Sequence, residues 1–359
     1  MLLRAGWLAR GAVGLPDRPD GGALSDDLVS QGEARAVIAL AAFAAALALS
    51  WAATGAVTKW LRRRAVFDQP NERSSHTVPT PRGGGLGLVA AALPLWALLG
   101  SGPAWAALLA LPLGVVSWLD DTRGLPPAPR FLVQLVVVGA GLALLPEGPV
   151  LQGLAPMWLD RVFALLAWVW FVNLFNFMDG IDGITGVETV AIGGGLAAIA
   201  VLTGGDAAPA AVLAGAALGF LRWNWAPARV FLGDVGSVPL GFLLGWLLLS
   251  AAARGQWAPA LILPAYYLAD ATLTLTRRVL RGEKPWTPHR EHFYQRAARG
   301  VESHATVSAT VLGADAVLAG LAVIALARPW AALVAAALLV GGLLARLSRM
   351  ARTRTLAGP

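Results

Sequence analysis

Residues 159–186 read LDRVFALLAWVWFVNLFNFMDGIDGITG. The stretch 159–178 is almost wholly apolar and matches the roughly 20 residues a helix needs to cross the hydrocarbon core of a bilayer. Polar side chains then recur at Asn173, Asn176, Asp179 and Asp182. Steps of three share a helix face with slow drift, so Asn173, Asn176 and Asp179 form one stripe at the end of the run. Gly180 and Gly183 break the helix there. Amides followed by acids are costly against lipid and point to a wetted cavity. A seam of interhelical hydrogen bonds would account for the two Asn, but not for two acids in a loop without Lys or Arg.

Outward from this stretch, the 359-residue chain is 57% hydrophobic and 14% charged, against about 25% charged in soluble domains. Its mean hydropathy is +0.64. A cytosolic globular enzyme and a disordered chain are excluded. With no Cys, so are a disulfide scaffold, a thiolate nucleophile, Cys-ligated zinc and iron–sulfur clusters. Apolar runs recur near 36–57, 84–101, 103–119, 131–148, 159–178, 187–204, 207–223, 236–253, 257–276, 306–327 and 329–346. The expected fold is all-α, a polytopic transmembrane bundle of about eleven spans. Residues 1–34 are polar, lack the apolar core of a signal peptide and are expected to be a disordered tail. Residues 35–348 form the membrane domain, and 349–359 a basic cytoplasmic tail.

Lys and Arg set the expected orientation, because they concentrate on the cytoplasmic side. With the first run crossing inward, the inner segments 58–82, 120–130, 177–186, 222–233, 277–305 and the C-terminal tail hold 21 of the 28 Lys and Arg. The N-terminus is then outside and the C-terminus inside, as an odd number of spans requires. The net charge of +7 reads as this bias and not as nucleic-acid binding.

Nearly all unusual polar residues fall in those inner segments. Pro79-Thr80-Pro81-Arg82-Gly83-Gly84-Gly85 enters the second run, its glycine N–H groups set either to face an anion or to start a closely packed helix. Asp120-Asp121 end the third run, where a helix C-terminus disfavours anions; a divalent cation or a tuned protonation would relieve them. Asp234, in Phe231-Leu232-Gly233-Asp234-Val235-Gly236-Ser237, opens the eighth run as an N-cap or as part of a site. Residues 277–296 are basic and hold two His, fit to clamp phosphate or to lie on anionic lipid. Acids from separate spans, amides, a glycine turn and a cationic loop on one face suggest a diphosphate site dependent on Mg2+, with Mn2+ as the alternative ion. Such chemistry needs positioning and charge neutralisation more than a protein nucleophile, and a lipid-borne phosphate is the natural acceptor.

In these motifs the chain resembles the polyprenyl-phosphate N-acetylhexosamine-1-phosphate transferases, glycosyltransferase family 4. The resemblance covers roughly residues 58–300. It rests on Asp120-Asp121, Asn173-x-x-Asn176-x-x-Asp179-Gly180-Ile181-Asp182-Gly183 and Gly233-Asp234-x-Gly236-Ser237 in that order. Pro79 to Gly84, Arg130, Gln134, Asn224 and Asp270 are further family positions. The resemblance implies that undecaprenyl phosphate attacks the β-phosphorus of a UDP-N-acetylhexosamine and that UMP leaves. It implies Asp234 as Mg2+ ligand with Asp120 and Asp121 beside it, that pair orienting or deprotonating the lipid phosphate. Asn173, Asn176, Asp179, Asp182, Asn224 and Arg130 would hold substrate, and Arg290 and His292 would meet phosphate. Where the family often ends this loop His-x-His-His, Tyr294 and Gln295 replace two His. The stretch His289-Arg290-x-His292-x-Tyr294-Gln295 is similar instead to an O-antigen-initiating subgroup that often uses N-acetylfucosamine-type sugars.

The implied partners are undecaprenyl phosphate, a UDP-N-acetyl sugar and the bilayer, with no nucleic acid and a homodimer left open. The implied location is the bacterial inner membrane, the site facing the cytoplasm. Phospho-MurNAc-pentapeptide transfer is the alternative within the family. A lipid or solute transporter is the alternative of another class; it calls for ionisable residues near the midplane, where the reading finds only Asp315, assigned a helix–helix hydrogen bond. A CDP-alcohol transferase would space its acids on a single Asp-rich helix, and a phosphatase commonly needs a catalytic His with Arg partners. His76 and His304 are expected to be structural.

Overall fold

The computed structural model describes residues 21–68, 78–284, 287, 289–301 and 303–352. α1 (Gly21–Arg63) leads to β1 (Phe67–Asp68), which pairs antiparallel with β2 (Thr80–Pro81). Then follow α2 (Gly85–Ala97), α3 (Ser101–Arg123), α4 (Pro127–Gly141), α5 (Met157–Phe177), α6 (Ile184–Leu202), α7 (Ala208–Asn224) and α8 (Asp234–Ala253). The chain ends with α9 (Trp257–Ile262), α10 (Ala265–Leu280), α11 (Phe293–Val301), α12 (His304–Ile324) and α13 (Pro329–Met350).

The protein is an all-α, multi-pass membrane bundle. Each of the eleven apolar runs is helical, the ninth as the broken pair α9 and α10. Among the described residues, eight helices are long and apolar enough to cross a membrane: α1, α3, α4 with its terminal turn, α5, α6, α8, α12 and α13. α2 and α7 are shorter. The first helix begins at Gly21, inside the stretch expected to be a tail. Residues 21–34, three of them Gly, extend an already nucleated helix, which costs only propagation. Residues 1–20, His76 and 353–359 lie outside the described residues.

α8 is the axis of the bundle, buried along nearly its whole length and packed against α3 and α5. Trp168 of α5 stacks on Phe242 of α8 with ring centroids 4.8 Å apart. α7 lies along α1, and a side chain at Gly215 or Gly219 would collide with the carbonyls of Phe43 and Leu47. Backbones therefore touch directly, which is how helices associate where lipid removes the hydrophobic drive. Asp315 of α12 is not alone in the interior. Glu188 of α6 faces it, and among the described residues neither buried carboxyl group has a hydrogen-bond partner outside the pair.

Candidate active site

One end of the bundle gathers the C-termini of α3 and α5 and the N-termini of α4 and α8. Asp121, in the last turn of α3, reaches across to α8. Its Oδ1 accepts the amide hydrogen of Asp234 (3.1 Å) and its Oδ2 that of Val235 (2.9 Å). The repulsion expected at a helix C-terminus is thus relieved by the positive end of a second helix. Gly233 makes this approach feasible: its φ is +75°, and a Cβ there would come within 2.7 Å of Asp121 Oδ2. Asp234 is not an N-cap. Gly233 holds the cap position, and no side chain of its own caps the helix.

The Asp234 carboxylate is turned instead toward two arginines. Arg82 Nη2 donates to Asp234 Oδ1 (3.0 Å) and Arg82 Nε lies 2.8 Å from Asp121 Oδ1. Arg130, at the start of α4, pairs with Asp120 Oδ2 and lies 3.6 Å from Asp234 Oδ2. Asp120 Oδ1 accepts from Leu125 N (2.7 Å). Burial opposes charge on Arg82, but Asp121 and Asp234 outweigh it and hold the guanidinium well above its ordinary range. Three carboxylates from two helices meet two guanidiniums. Arg82 was quoted from the sequence but not assigned a role; the signal was an Arg fixed between Pro81 and three glycines.

Those glycines do not face an anion. Gly83 N and Gly84 N donate to Phe231 O (3.2 and 2.8 Å) and Gly85 N to Leu232 O (2.9 Å). The loop before α2 is zipped to the loop before α8, which is what places Arg82 beside Asp234.

A cavity of about 850 Å³ opens beside this cluster, lined by Arg130, Gln134, Asn173, Asn176, Asp234, His289 and His292. Its other wall is apolar, with Phe131, Leu166, Val169 and Trp170; Phe131 and Leu166 are exposed on the outside of the bundle. Both Asn reach the cavity, yet they also form the interhelical seam. Asn173 Nδ2 donates to Gln134 Oε1 and Val169 O (2.8 Å each), and Asn176 Nδ2 to Ser237 Oγ (2.9 Å).

Asp179 lies just past α5, and burial, reinforced by Asp234 and Asp121, raises its carboxyl to about 7. Asp182 is placed elsewhere, on a second cavity of about 480 Å³ with Thr80, Phe231 and His304. Its Oδ2 accepts from Ala228 N (3.0 Å) and its Oδ1 lies 3.2 Å from His304 Nδ1. Asn224 lines neither cavity. Its amide staples two loops, accepting from Gly183 N (2.9 Å) and donating to Val230 O (3.0 Å).

The loop before α11 brings both of its histidines to the main cavity. His289 and His292 face each other with centroids 4.9 Å apart. Asp270 of α10 lies 3.1 Å from His292 Nδ1 and accepts from Phe293 N and Tyr294 N, capping α11. α11 escaped the apolar pattern because it is short and basic. Tyr294 is buried and donates to Phe177 O (3.2 Å), so it braces the end of α5. Arg290 is not among the residues lining the cavity.

A model of glycosyl transferase family 4 matches residues 104–252, which contain the three acids. The chain is 31% identical over 318 residues to the decaprenyl-phosphate N-acetylglucosaminephosphotransferase of Mycolicibacterium smegmatis, covering 74% of this chain and 77% of that one. The chain belongs to glycosyl transferase family 4. It is also similar to the probable undecaprenyl-phosphate N-acetylglucosaminyl 1-phosphate transferase of Bacillus subtilis (28% over 264 residues, 67% and 73% covered). A phospho-N-acetylmuramoyl-pentapeptide-transferase of Granulibacter bethesdensis is 31% identical over 253 residues (57% and 70% covered).

Among the described residues of this transferase, no three His, Asp or Glu form a ready-made metal group. The donor set nevertheless fits Mg2+, which usually takes one or two carboxylates and completes its shell with water and substrate phosphate. Asp234 faces the cavity and Asp120 stands next to it, whereas both Asp121 oxygens are engaged by backbone N–H groups.

Proposed function

We propose that this enzyme transfers a sugar 1-phosphate from a UDP-N-acetylhexosamine, or an N-acetylfucosamine-type analogue, to undecaprenyl phosphate, releasing UMP. The product starts a lipid-linked glycan, O-antigen or another cell-envelope polysaccharide. The chain is a sugar-1-phosphate transferase, and its acceptor is a polyprenyl phosphate. The observation carrying the finer reading is the cavity whose one wall is Asp234 and Arg130 and whose other wall is apolar and continuous with the outside of the bundle. A phosphate on a long hydrocarbon chain satisfies both walls.

An oxygen of the lipid phosphate attacks the sugar-bearing phosphorus. The bond from that phosphorus to the bridging oxygen breaks, and UMP leaves with that oxygen. Arg130 and Arg82 neutralise phosphate oxygens, and Asn173 and Asn176 line the path. Mg2+, held by Asp234 with Asp120, supplies further charge neutralisation when bound. Asp121 fixes the N-terminus of α8 so that Asp234 is presented correctly. The second cavity, with Asp182 and the Phe231 ring, suits the nucleoside end of the donor. The bias of Lys and Arg supports a bacterial inner-membrane location with this end of the bundle facing the cytoplasm.

The test uses purified protein with Mg2+, undecaprenyl phosphate and a panel of UDP-GlcNAc, UDP-GalNAc and UDP-FucNAc. UMP release and the mass of the lipid product are measured. Absence of UMP with every donor sinks the proposal, and product only with UDP-MurNAc-pentapeptide moves the enzyme to peptidoglycan synthesis.

A further inference from the structure

We propose that Asp270 and the amide of Glu291 lock His292 and His289 in opposite tautomers, so that the pair presents one acceptor and one donor to a phosphomonoester. The proposal rests on the reading that the main cavity receives the lipid phosphate.

Asp270 is fully buried. Its Oδ1 has His292 Nδ1 at 3.1 Å, Phe293 N at 3.1 Å and Thr274 Oγ1 at 3.2 Å; its Oδ2 has Tyr266 Oη and Tyr294 N at 3.3 Å. Backbone N–H groups only donate, so each oxygen of Asp270 serves as an acceptor. His292 Nδ1 therefore carries the ring proton, and a neutral His292 keeps its lone pair on Nε2. His289 is the reverse. Its Nδ1 receives the amide hydrogen of Glu291 at 3.3 Å, so its proton sits on Nε2. The rings are 4.9 Å apart and both line the cavity with Arg130 and Asp234. Burial pushes the His289 ring below the usual imidazole range and keeps it neutral.

A phosphomonoester with one proton offers a P–OH and bare oxygens together; a diphosphate bridge or a diester offers acceptors alone. His292 Nε2 can take the P–OH hydrogen while His289 Nε2–H donates to a second oxygen. Asp270 touches no substrate and is a positioning residue.

The experiment is side-chain NMR of the full-length protein, labelled with 13C and 15N in histidine, in nanodiscs. Signals are assigned with His289→Gln and His292→Gln. The expected spectrum shows Nδ1–H for His292 and Nε2–H for His289. Asp270→Ala should release His292 to the Nε2–H form favoured in water while leaving His289 unchanged. Undecaprenyl phosphate should shift both rings, and UDP-GlcNAc neither. An Nε2–H His292 in the unmodified protein overturns the lock, even if Asp270→Ala fails to fold. So does an Asp270→Ala protein that folds and retains Nδ1–H. Shifts caused by UDP-GlcNAc but not by undecaprenyl phosphate overturn the ligand. These spectra need no turnover, so a protein with the stated tautomers that never releases UMP refutes the transferase reading and leaves the lock standing.

Discussion

Asp121 caps the helix that Asp234 begins, its two carboxylate oxygens taking the amide hydrogens of Asp234 and Val235 at 3.1 and 2.9 Å. Neighbours in sequence, Asp120 and Asp121 therefore have separate roles. Asp120 is paired with Arg130 at the cavity, and Asp121 is a clamp between α3 and α8.

Asp121→Ala and Asp234→Asn should accordingly differ in kind. Losing the cap should cost about 1–2 kcal/mol, a drop of several degrees in Tm, together with activity. Asp234→Asn should keep its Tm close to that of the parent while UMP release falls by at least about 100-fold. Thermal unfolding and UMP release on both variants check this; equal destabilisation of the two would remove the distinction.

Gly233→Ala probes the same junction from the backbone. The residue has φ +75° and ψ 169°, a region open essentially to Gly alone, and the new Cβ would meet Asp121 Oδ2. A loss of at least about 2 kcal/mol is expected, with activity falling in step. A variant as stable and active as the parent would show that α3 and α8 do not meet this way.

Asp179 gives the site a pH dependence. A carboxyl raised from 3.8 to about 7 holds its proton more tightly in the folded chain than in the unfolded one. Its favourable contribution is complete below the unfolded value and is lost as pH rises through about 7. Without added metal, Tm should fall between about pH 4 and pH 8, and Asp179→Asn should remove part of that fall. The Tm advantage of the variant should be larger at the higher pH. An identical gap at both would contradict the assignment.

Glu188 and Asp315 form a buried pair of carboxyl groups that do not line the main cavity. Amides of the same shape remove the cost of ionising either carboxyl in the interior beside the other. The double variant Glu188→Gln with Asp315→Asn should fold, with a Tm equal to or above that of the parent, and should release UMP at a similar rate. A tenfold loss of turnover in the folded double variant would tie the pair to catalysis.

The spacing of Asn173, Asn176 and Asp179 on one stripe was legible because helical periodicity is local, and both Asn do reach the cavity. An interhelical seam was legible as the alternative use of the two Asn, but its partners Gln134 and Ser237 were not, since they lie 39 and 61 residues away. Asn224 looked like its neighbours in type and was placed among the substrate residues, yet its amide is spent on two loops. His289 was counted with His292 in a loop fit to clamp phosphate, but the family pattern carried over only His292 to an individual role.

Composition and hydropathy by themselves determined an all-α membrane bundle, because a bilayer forces every long apolar run to satisfy its own backbone as a helix. Motif order likewise determined the family. The tertiary structure decided which acid is clamp and which faces substrate, that the glycine loop zips to backbone carbonyls, and that two histidines share the pocket. Those outcomes depend on which helix ends abut, and hydrogen bonds between residues more than a hundred positions apart leave no trace in the local pattern of either partner.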